Sequence, residues 1–128
     1  MPEPETARIV FVTDGDTVRL EGGERIRIAG IDAPETHDDQ AHGRAEIAMG
    51  RAAAQTARAM LLGEVVTIER VGRSYNRTVA RLTLGGHDVG TELVRQGAAR
   101  WWPRWERKPD WCGAGEAMRR ARRGIRNP

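Results

Sequence analysis

The stretch "TVRLEGGERIRIAGI", residues 17–31, is typical of a β-hairpin. Its second arm alternates, with Ile26 and Ile28 on one face and polar or small residues on the other, as expected of a strand with one buried side. Gly22 and Gly23 supply the turn, because glycine adopts the positive φ that tight hairpin turns require. The sequence therefore predicts two adjacent antiparallel strands.

The segments around the hairpin add three strands and three helices. The predicted order is β-β-β-α-β-β-α followed by a basic helix, which indicates an α+β fold, mainly β, in one domain over residues 1–128 with a core at about 8–125. In this fold a five-stranded barrel carries the helices against its surface. Asp88 is the expected N-cap of the second helix, and Gly97 is its expected stop. The further strands are expected over 7–12, 64–71 and 78–86, with a loop at 72–77, and the helices over 44–62, 87–97 and 114–124.

Length and composition bound the possible functions. The chain of 128 residues contains no apolar run near the roughly 20 residues of a membrane span. Its opening residues lack a basic segment followed by an apolar one, so no signal peptide is expected and the compartment stays open. The single cysteine, Cys112, excludes a disulfide within the chain and is expected to be a structural or surface thiol.

Positive charge is concentrated towards the end of the chain. Residues 100–128 carry nine Arg or Lys side chains and three acids, whereas residues 1–99 carry twelve bases and fifteen acids. Every base except Lys108 is an arginine, whose planar fork binds phosphate. The pattern fits either a solvated arginine-rich surface or a polyanionic partner.

Acidic residues stand near the ends of the predicted strands. Asp14 precedes a glycine and is expected to bond the backbone of a turn. Asp16 begins the first hairpin arm, and Asp32 and Glu35 follow the second. Since the two arms are expected to be neighbours, Asp16 and Asp32 can meet, and like charges at short range favour a cation between them. Oxygen ligands favour Ca²⁺ or Mg²⁺, but Asp-Gly and Asp-Ala-Pro are also ordinary turn sequences.

Two arginines extend this hypothesis. Arg27, on the polar face of the second hairpin arm, can bind a phosphate or pair with Asp32 or Glu35, and Arg77 ends the second loop. A dication, two guanidinium groups and a further carboxylate would suit phosphoryl transfer, because they stabilise charge on phosphorus and orient a water molecule. The loop after the hairpin could imitate a transition-metal site but is expected to be solvated, with His37, Asp38, Asp39 and His42.

Four segments in order resemble domains of the staphylococcal nuclease (thermonuclease) family. They are "VTDGDTVRL", "RIRIAGIDAPET", "SYNRTVARL" and "HDVGTELVRQGAAR", and the resemblance covers residues 8–125. It implies a five-stranded OB-type barrel with three helices. It also implies a calcium-dependent phosphodiesterase that cuts the P–O5′ bond of DNA or RNA and leaves 3′-phosphate ends. The ion implied is one Ca²⁺, with Mg²⁺ or Mn²⁺ less favoured.

The resemblance also implies a role for each matching residue. Asp16, Asp32 and the main-chain carbonyl of Ala33 match the calcium ligands. Glu35 matches the residue that orients or activates water, and Arg27 and Arg77 match the arginines that hold the scissile phosphate. The expected substrate-binding residues are Tyr75, Arg73, Trp102 and Trp105.

Some of these positions depart from the family pattern. Arg73 replaces an acid and adds positive charge beside the expected phosphate site, and Asn76 stands where glycine would supply a left-handed backbone. Trp102 and Trp105, interleaved with basic residues, either stack on bases or seal the barrel against the last helix.

Two further classes of function stay open at this point. A non-cleaving nucleic-acid-binding or interaction module with the same barrel is the main alternative to a nuclease, and a protein-interaction adaptor that uses the tryptophans is a third. Nucleases need the acids and arginines together, and all of them are present. We therefore expect a monomeric metal-dependent endonuclease that acts on DNA or RNA and does not bind membranes.

Overall fold

A computed structural model of the chain describes residues 4–34 and 44–102, and these residues form eight strands and two helices. No helix in the described part is long and apolar enough to cross a membrane. The elements are β1 (Glu5–Asp14), β2 (Thr17–Leu20), β3 (Arg25–Ile28), β4 (Ile31–Asp32), α1 (Arg44–Leu61), β5 (Val65–Ser74), β6 (Arg77–Leu84), β7 (His87–Asp88), α2 (Val89–Arg95) and β8 (Arg100–Trp101).

Five of these strands close into a barrel. Antiparallel pairing gives the order β3-β2-β1-β5-β6, and β3 also pairs in parallel with β6, so the ring has no open edge. In the closing pair, Ile26 lies opposite Thr78 and Ile28 lies opposite Ala80. Closure gives the backbone groups of both terminal strands a partner. The predicted α+β fold, mainly β with a five-stranded barrel, is confirmed.

The predicted hairpin of β2 and β3 forms as expected. Thr17 lies opposite Arg27 and Arg19 lies opposite Arg25, and the turn between the strands contains Gly22 at φ 101° and Gly23 at φ 99°. On β3 the isoleucines point into the barrel and the arginines point outward. The barrel is filled by side chains that are no more than 2% exposed, with Ile9, Val12, Val18, Leu20, Ile26, Ile28, Val66 and Leu82 among them.

The helix prediction is confirmed for two helices. α1 covers the span expected for it, and its buried residues are Glu46 in the first turn, several small residues and Leu61 at the C-terminus. The Asp88 carboxylate caps α2, because it accepts a hydrogen bond of 2.8 Å from the Thr91 backbone N–H. Gly97, at φ 78°, follows the helix as predicted. The predicted helix at 114–124 lies outside the described residues.

The loop predicted at 72–77 is wrong. β5 and β6 run into this segment and pair up to Ser74 opposite Arg77, which leaves a two-residue turn. The positive φ falls on Tyr75, at 56°, and not on Asn76. Asparagine tolerates the left-handed conformation more readily than tyrosine does, so the local sequence favoured Asn76 for the position that Tyr75 occupies.

Candidate active site

Asp16 lies at the tight turn from β1 into β2 and is 4% exposed. Its two oxygens receive separate partners. Oδ1 accepts a hydrogen bond of 2.8 Å from the Thr17 hydroxyl, and Oδ2 accepts one of 2.9 Å from the Ala33 backbone N–H. Oδ2 also forms an ion pair with Arg27. A buried carboxylate is costly unless it is paired and hydrogen-bonded, and these contacts meet that condition.

Arg27 joins Asp16 to Asp32. One terminal nitrogen of its guanidinium contacts Asp16, and the other lies 3.4 Å from Asp32 Oδ1 and donates a hydrogen bond of 3.2 Å to the Ile31 carbonyl. The Arg27 side chain is 11% exposed, and Asp32 is fully buried. The sequence left open whether Arg27 pairs with Asp32 or Glu35, and the structure pairs it with both Asp16 and Asp32.

Arg77 lies beside the same group. Its Nη1 atom is 3.4 Å from the Thr17 hydroxyl, which in turn donates to Asp16. Thr17 also lies opposite Arg27 in the β2–β3 pair, so it stands between the two arginines. The structure therefore brings Asp16, Arg27, Asp32 and Arg77 into one small region. Sequence reasoning missed Thr17, although its position directly after Asp16 and opposite Arg27 in the hairpin was readable.

Trp102 packs against Arg27. The guanidinium carbon of Arg27 lies 5.5 Å from the centre of the Trp102 ring, which is within cation–π range. The Trp102 backbone N–H donates a hydrogen bond of 2.7 Å to the Gly30 carbonyl, and the residues before it form β8, which pairs with β4. The ring thus contacts a site arginine in this structure. Glu35 and Trp105 lie outside the described residues.

The two predicted substrate-binding residues of the β5–β6 hairpin are placed differently from each other. Tyr75 is at the turn and is 94% exposed. Arg73 lies opposite Thr78 in the ladder, and neighbouring strand residues point to opposite faces, so Arg73 lies on the face opposite Arg77. The structure does not bring Arg73 to the Arg27 and Arg77 guanidinium groups.

On that opposite face, Arg73 lies near a separate charged cluster formed by Glu5, Glu24, Arg70 and Thr78. Arg70 binds Glu24 at 2.6 Å and Glu5 at 2.9 Å, and the Thr78 hydroxyl donates to Glu24 at 2.7 Å. Hydrogen bonds from Arg70 and then Thr78 hold the pKa of Glu24 at about 2, and Arg73 adds a smaller coulombic contribution. This cluster links β1, the β2–β3 turn, β5 and β6, and it stabilises the barrel.

The donors at the site fit a hard divalent cation. Asp16 and Asp32 are buried carboxylates drawn to one guanidinium, and oxygen donors of this kind suit Ca²⁺ or Mg²⁺. A carboxylate offers about four lone-pair positions, and the contacts of Asp16 with Thr17, Ala33 and Arg27 engage three. Within residues 4–34 and 44–102, no three His, Cys, Asp or Glu side chains lie close enough together to hold one metal ion.

Comparison with known proteins identifies relatives of this chain. A family model described as staphylococcal nuclease homologue matches residues 25–127. A protein of Haemophilus influenzae described as an uncharacterized endonuclease is 31% identical over 102 residues, which cover 76% of this chain and 52% of that protein. The chain therefore spans about half the length of this curated relative.

Proposed function

The chain belongs to the staphylococcal nuclease family, and from this premise we propose that it is a calcium-dependent phosphodiesterase that hydrolyses DNA, RNA or both. The bond cut is P–O5′, so the products carry a 3′-phosphate and a 5′-hydroxyl. The observation that carries the proposal is the convergence of two buried carboxylates and two arginines at the start of β2. Such a site combines a place for a hard cation with guanidinium groups that can hold a phosphodiester.

In this proposal Asp16 and Asp32 hold the ion, together with the main-chain carbonyl of Ala33. When bound, calcium supplies positive charge that polarises the scissile phosphate and offsets the two carboxylates. The residues of the chain then divide the remaining work. Arg27 and Arg77 bind the phosphate oxygens and stabilise the charge that develops on them, because guanidinium groups bind phosphate through two parallel hydrogen bonds.

Glu35 orients the attacking water and takes its proton, and the oxygen of that water forms the new bond to phosphorus. The O5′ oxygen leaves and receives a proton, so atoms and charge balance. Removal of one such electrostatic contact costs about 100- to 1000-fold in turnover in well-studied enzymes. We assign Arg77 this magnitude, because its partly buried side chain lies beside the site and contacts the Thr17 hydroxyl at 3.4 Å.

The test measures cleavage of single-stranded DNA and RNA by the 128-residue chain in calcium and in EGTA. We expect cleavage in calcium, none in EGTA, and a fall of at least about 100-fold in Arg77→Ala and Glu35→Gln. Ends that a polymerase extends only after phosphatase treatment identify 3′-phosphates.

The matched control is Arg81→Ala, which removes another arginine of β6 whose side chain is 63% exposed and pairs with the exposed Glu69. Its activity should stay close to wild type. Tight binding of nucleic acid without cleavage, in calcium and in other divalent metals, would instead establish the non-cleaving module.

A further inference from the structure

An aromatic residue and two arginines form a row across the outer face of the barrel. Phe11 of β1 lies opposite Arg19 of β2, and Arg19 lies opposite Arg25 of β3. All three are exposed, and Phe11 has 53% of its surface accessible to solvent. Neighbouring strands are about 4.8 Å apart, so the three backbone positions span about 10 Å. We refer to Phe11, Arg19 and Arg25 as the outer row.

The outer row is continuous with the candidate active site. Arg25 and Arg27 are two residues apart on β3 and therefore project from the same face of the sheet, about 7 Å apart along the strand. Thr17 occupies the corresponding position on β2, opposite Arg27. A bound strand that extended from the Arg27 guanidinium along this face would reach Arg25 first and then Arg19.

The charge of the outer row faces solvent. Within residues 4–34 and 44–102, neither Arg19 nor Arg25 forms an ion pair, whereas Arg70, Arg81 and Arg95 each pair with a glutamate. The guanidinium carbon of Arg19 lies 6.0 Å from the centre of the Phe11 ring, at the limit of cation–π contact. An exposed aromatic ring beside uncommitted guanidinium groups is the arrangement that binds unpaired nucleotides, because bases stack on the ring and phosphates bind the arginines.

We propose that the outer row is an extension subsite for the single-stranded part of the nucleic-acid substrate. Arg25 and Arg19 bind phosphates that flank the phosphate held by Arg27, and Phe11 stacks on an unpaired base. This inference rests on the proposed function for the identity of the substrate. It adds a preference for unpaired strands longer than a dinucleotide, since only such strands reach from Arg27 to Phe11.

The test measures affinity without turnover. Fluorescence anisotropy follows the binding of a fluorescein-labelled oligothymidylate of twelve nucleotides to the 128-residue chain that carries Glu35→Gln. The titrations are done in calcium at salt concentrations from 50 to 400 mM. The affinity of single-stranded complexes falls with salt with a slope of about −0.7 for each phosphate contact. Loss of two contacts in Arg19→Gln/Arg25→Gln should make the salt dependence less steep, with the magnitude of the slope smaller by about 1.4. It should also weaken binding about 25-fold at 0.1 M salt.

Two controls separate the outer row from general charge and from side-chain bulk. Arg51→Gln/Arg58→Gln removes the same charge from the exposed face of α1 and should bind like the parent chain. Phe11→Leu should weaken binding at least about fivefold, and Phe11→Tyr should bind like the parent chain because the ring is kept.

Strand length gives a further control. A thymidine dinucleotide used as a competitor should lose much less affinity in Arg19→Gln/Arg25→Gln than the twelve-nucleotide strand does.

Equal binding of the outer-row and α1 variants overturns the inference, and so does an equal loss for the dinucleotide and the long strand. The outcome is separable from that for catalysis. If wild-type protein does not cleave but the outer-row variants still lose affinity for the long strand, the proposed activity fails and the subsite stands. If wild-type protein cleaves and the outer-row variants bind normally, the subsite fails alone.

Discussion

Replacement of Gly15 by alanine is the sharpest test of how closely the site is packed. Gly15 lies between Asp14 and Asp16 in the β1–β2 turn and is buried. A Cβ atom built there would lie 2.9 Å from the Ala33 Cβ, 3.0 Å from the Ala98 carbonyl oxygen and 3.1 Å from the Ala53 Cβ. All three distances are shorter than ordinary van der Waals contact.

None of these neighbours can yield by a simple rotation. Two are Cβ atoms fixed to the backbone, and the third is a backbone carbonyl, so the turn, α1 or the segment after α2 must move. Overpacking of a well-packed core costs about 1–3 kcal/mol. A Gly→Ala change also restricts the unfolded chain and by itself stabilises the fold by about 0.4–1 kcal/mol. We therefore expect Gly15→Ala to lower the free energy of unfolding by about 1–2 kcal/mol.

Gly72→Ala provides the matched control. Gly72 lies in β5 without a positive φ, and a Cβ there would have no atom within 4 Å. The same chemical change should leave stability unchanged or raise it by up to about 1 kcal/mol. Urea unfolding at pH 7 measures both variants, and with a slope of about 1.5 kcal/mol/M the midpoint of Gly15→Ala should fall by about 1 M. A midpoint of Gly15→Ala equal to or above that of Gly72→Ala would refute the tight packing around Gly15.

Three further predictions concern the ring over Arg27, the acid range and the metal. Trp102→Leu should lower kcat/KM on single-stranded DNA by about 2- to 30-fold, because the cation–π contact with Arg27 is lost. Trp102→Phe should stay close to wild type, and replacement of the exposed neighbour in Trp101→Leu is the control. Equal effects of Trp102→Leu and Trp102→Phe would contradict this. Because the pKa of Glu24 is lowered to about 2, its ion pairs stabilise the fold above about pH 4.5 and lose that effect as the pH falls towards 2. In thermal unfolding, Glu24→Gln should therefore be less stable than wild type at pH 5 and equal to it near pH 2, and a constant difference would contradict this. Calcium at 100 times its Kd should stabilise wild type by about 2.7 kcal/mol over EGTA, and Asp32→Asn should lose this gain; equal stabilisation of both proteins would rule out Asp32 as a ligand.

The elements predictable from the sequence are those with a strong local signal. The alternation in β3, the paired glycines of its turn and the alanine-rich run of α1 each determine structure through nearby residues. Asp88 capped α2 as predicted because an N-cap depends only on the backbone N–H groups that follow it. The nearness of Asp16 and Asp32 was also predictable, since it follows from the hairpin that places their strands side by side.

The parts that escaped prediction depend on distant contacts or on very short elements. β4 and β8 have two residues each, and a two-residue strand has no periodicity to detect. Their pairing nevertheless places Trp102 against Arg27. The sequence alone predicted base stacking or packing against the last helix for this tryptophan, and the contact with Arg27 was not predictable from it. The parallel closure of β3 on β6 joins residues about 50 positions apart, and Arg77 reaches the site only through that closure.

The burial of the two carboxylates links the ion to the substrate in the proposed mechanism. Asp16 and Asp32 draw on the same guanidinium, and their burial makes each charge interaction stronger than it would be in water. The contacts that keep Arg27 in position therefore also compete with a phosphate for its hydrogen-bond donors. A dication on the carboxylates would weaken their hold on Arg27 and leave it more attractive to phosphate. Binding free energies are reciprocal, so phosphate bound to Arg27 must strengthen calcium binding by the same factor that calcium strengthens phosphate binding.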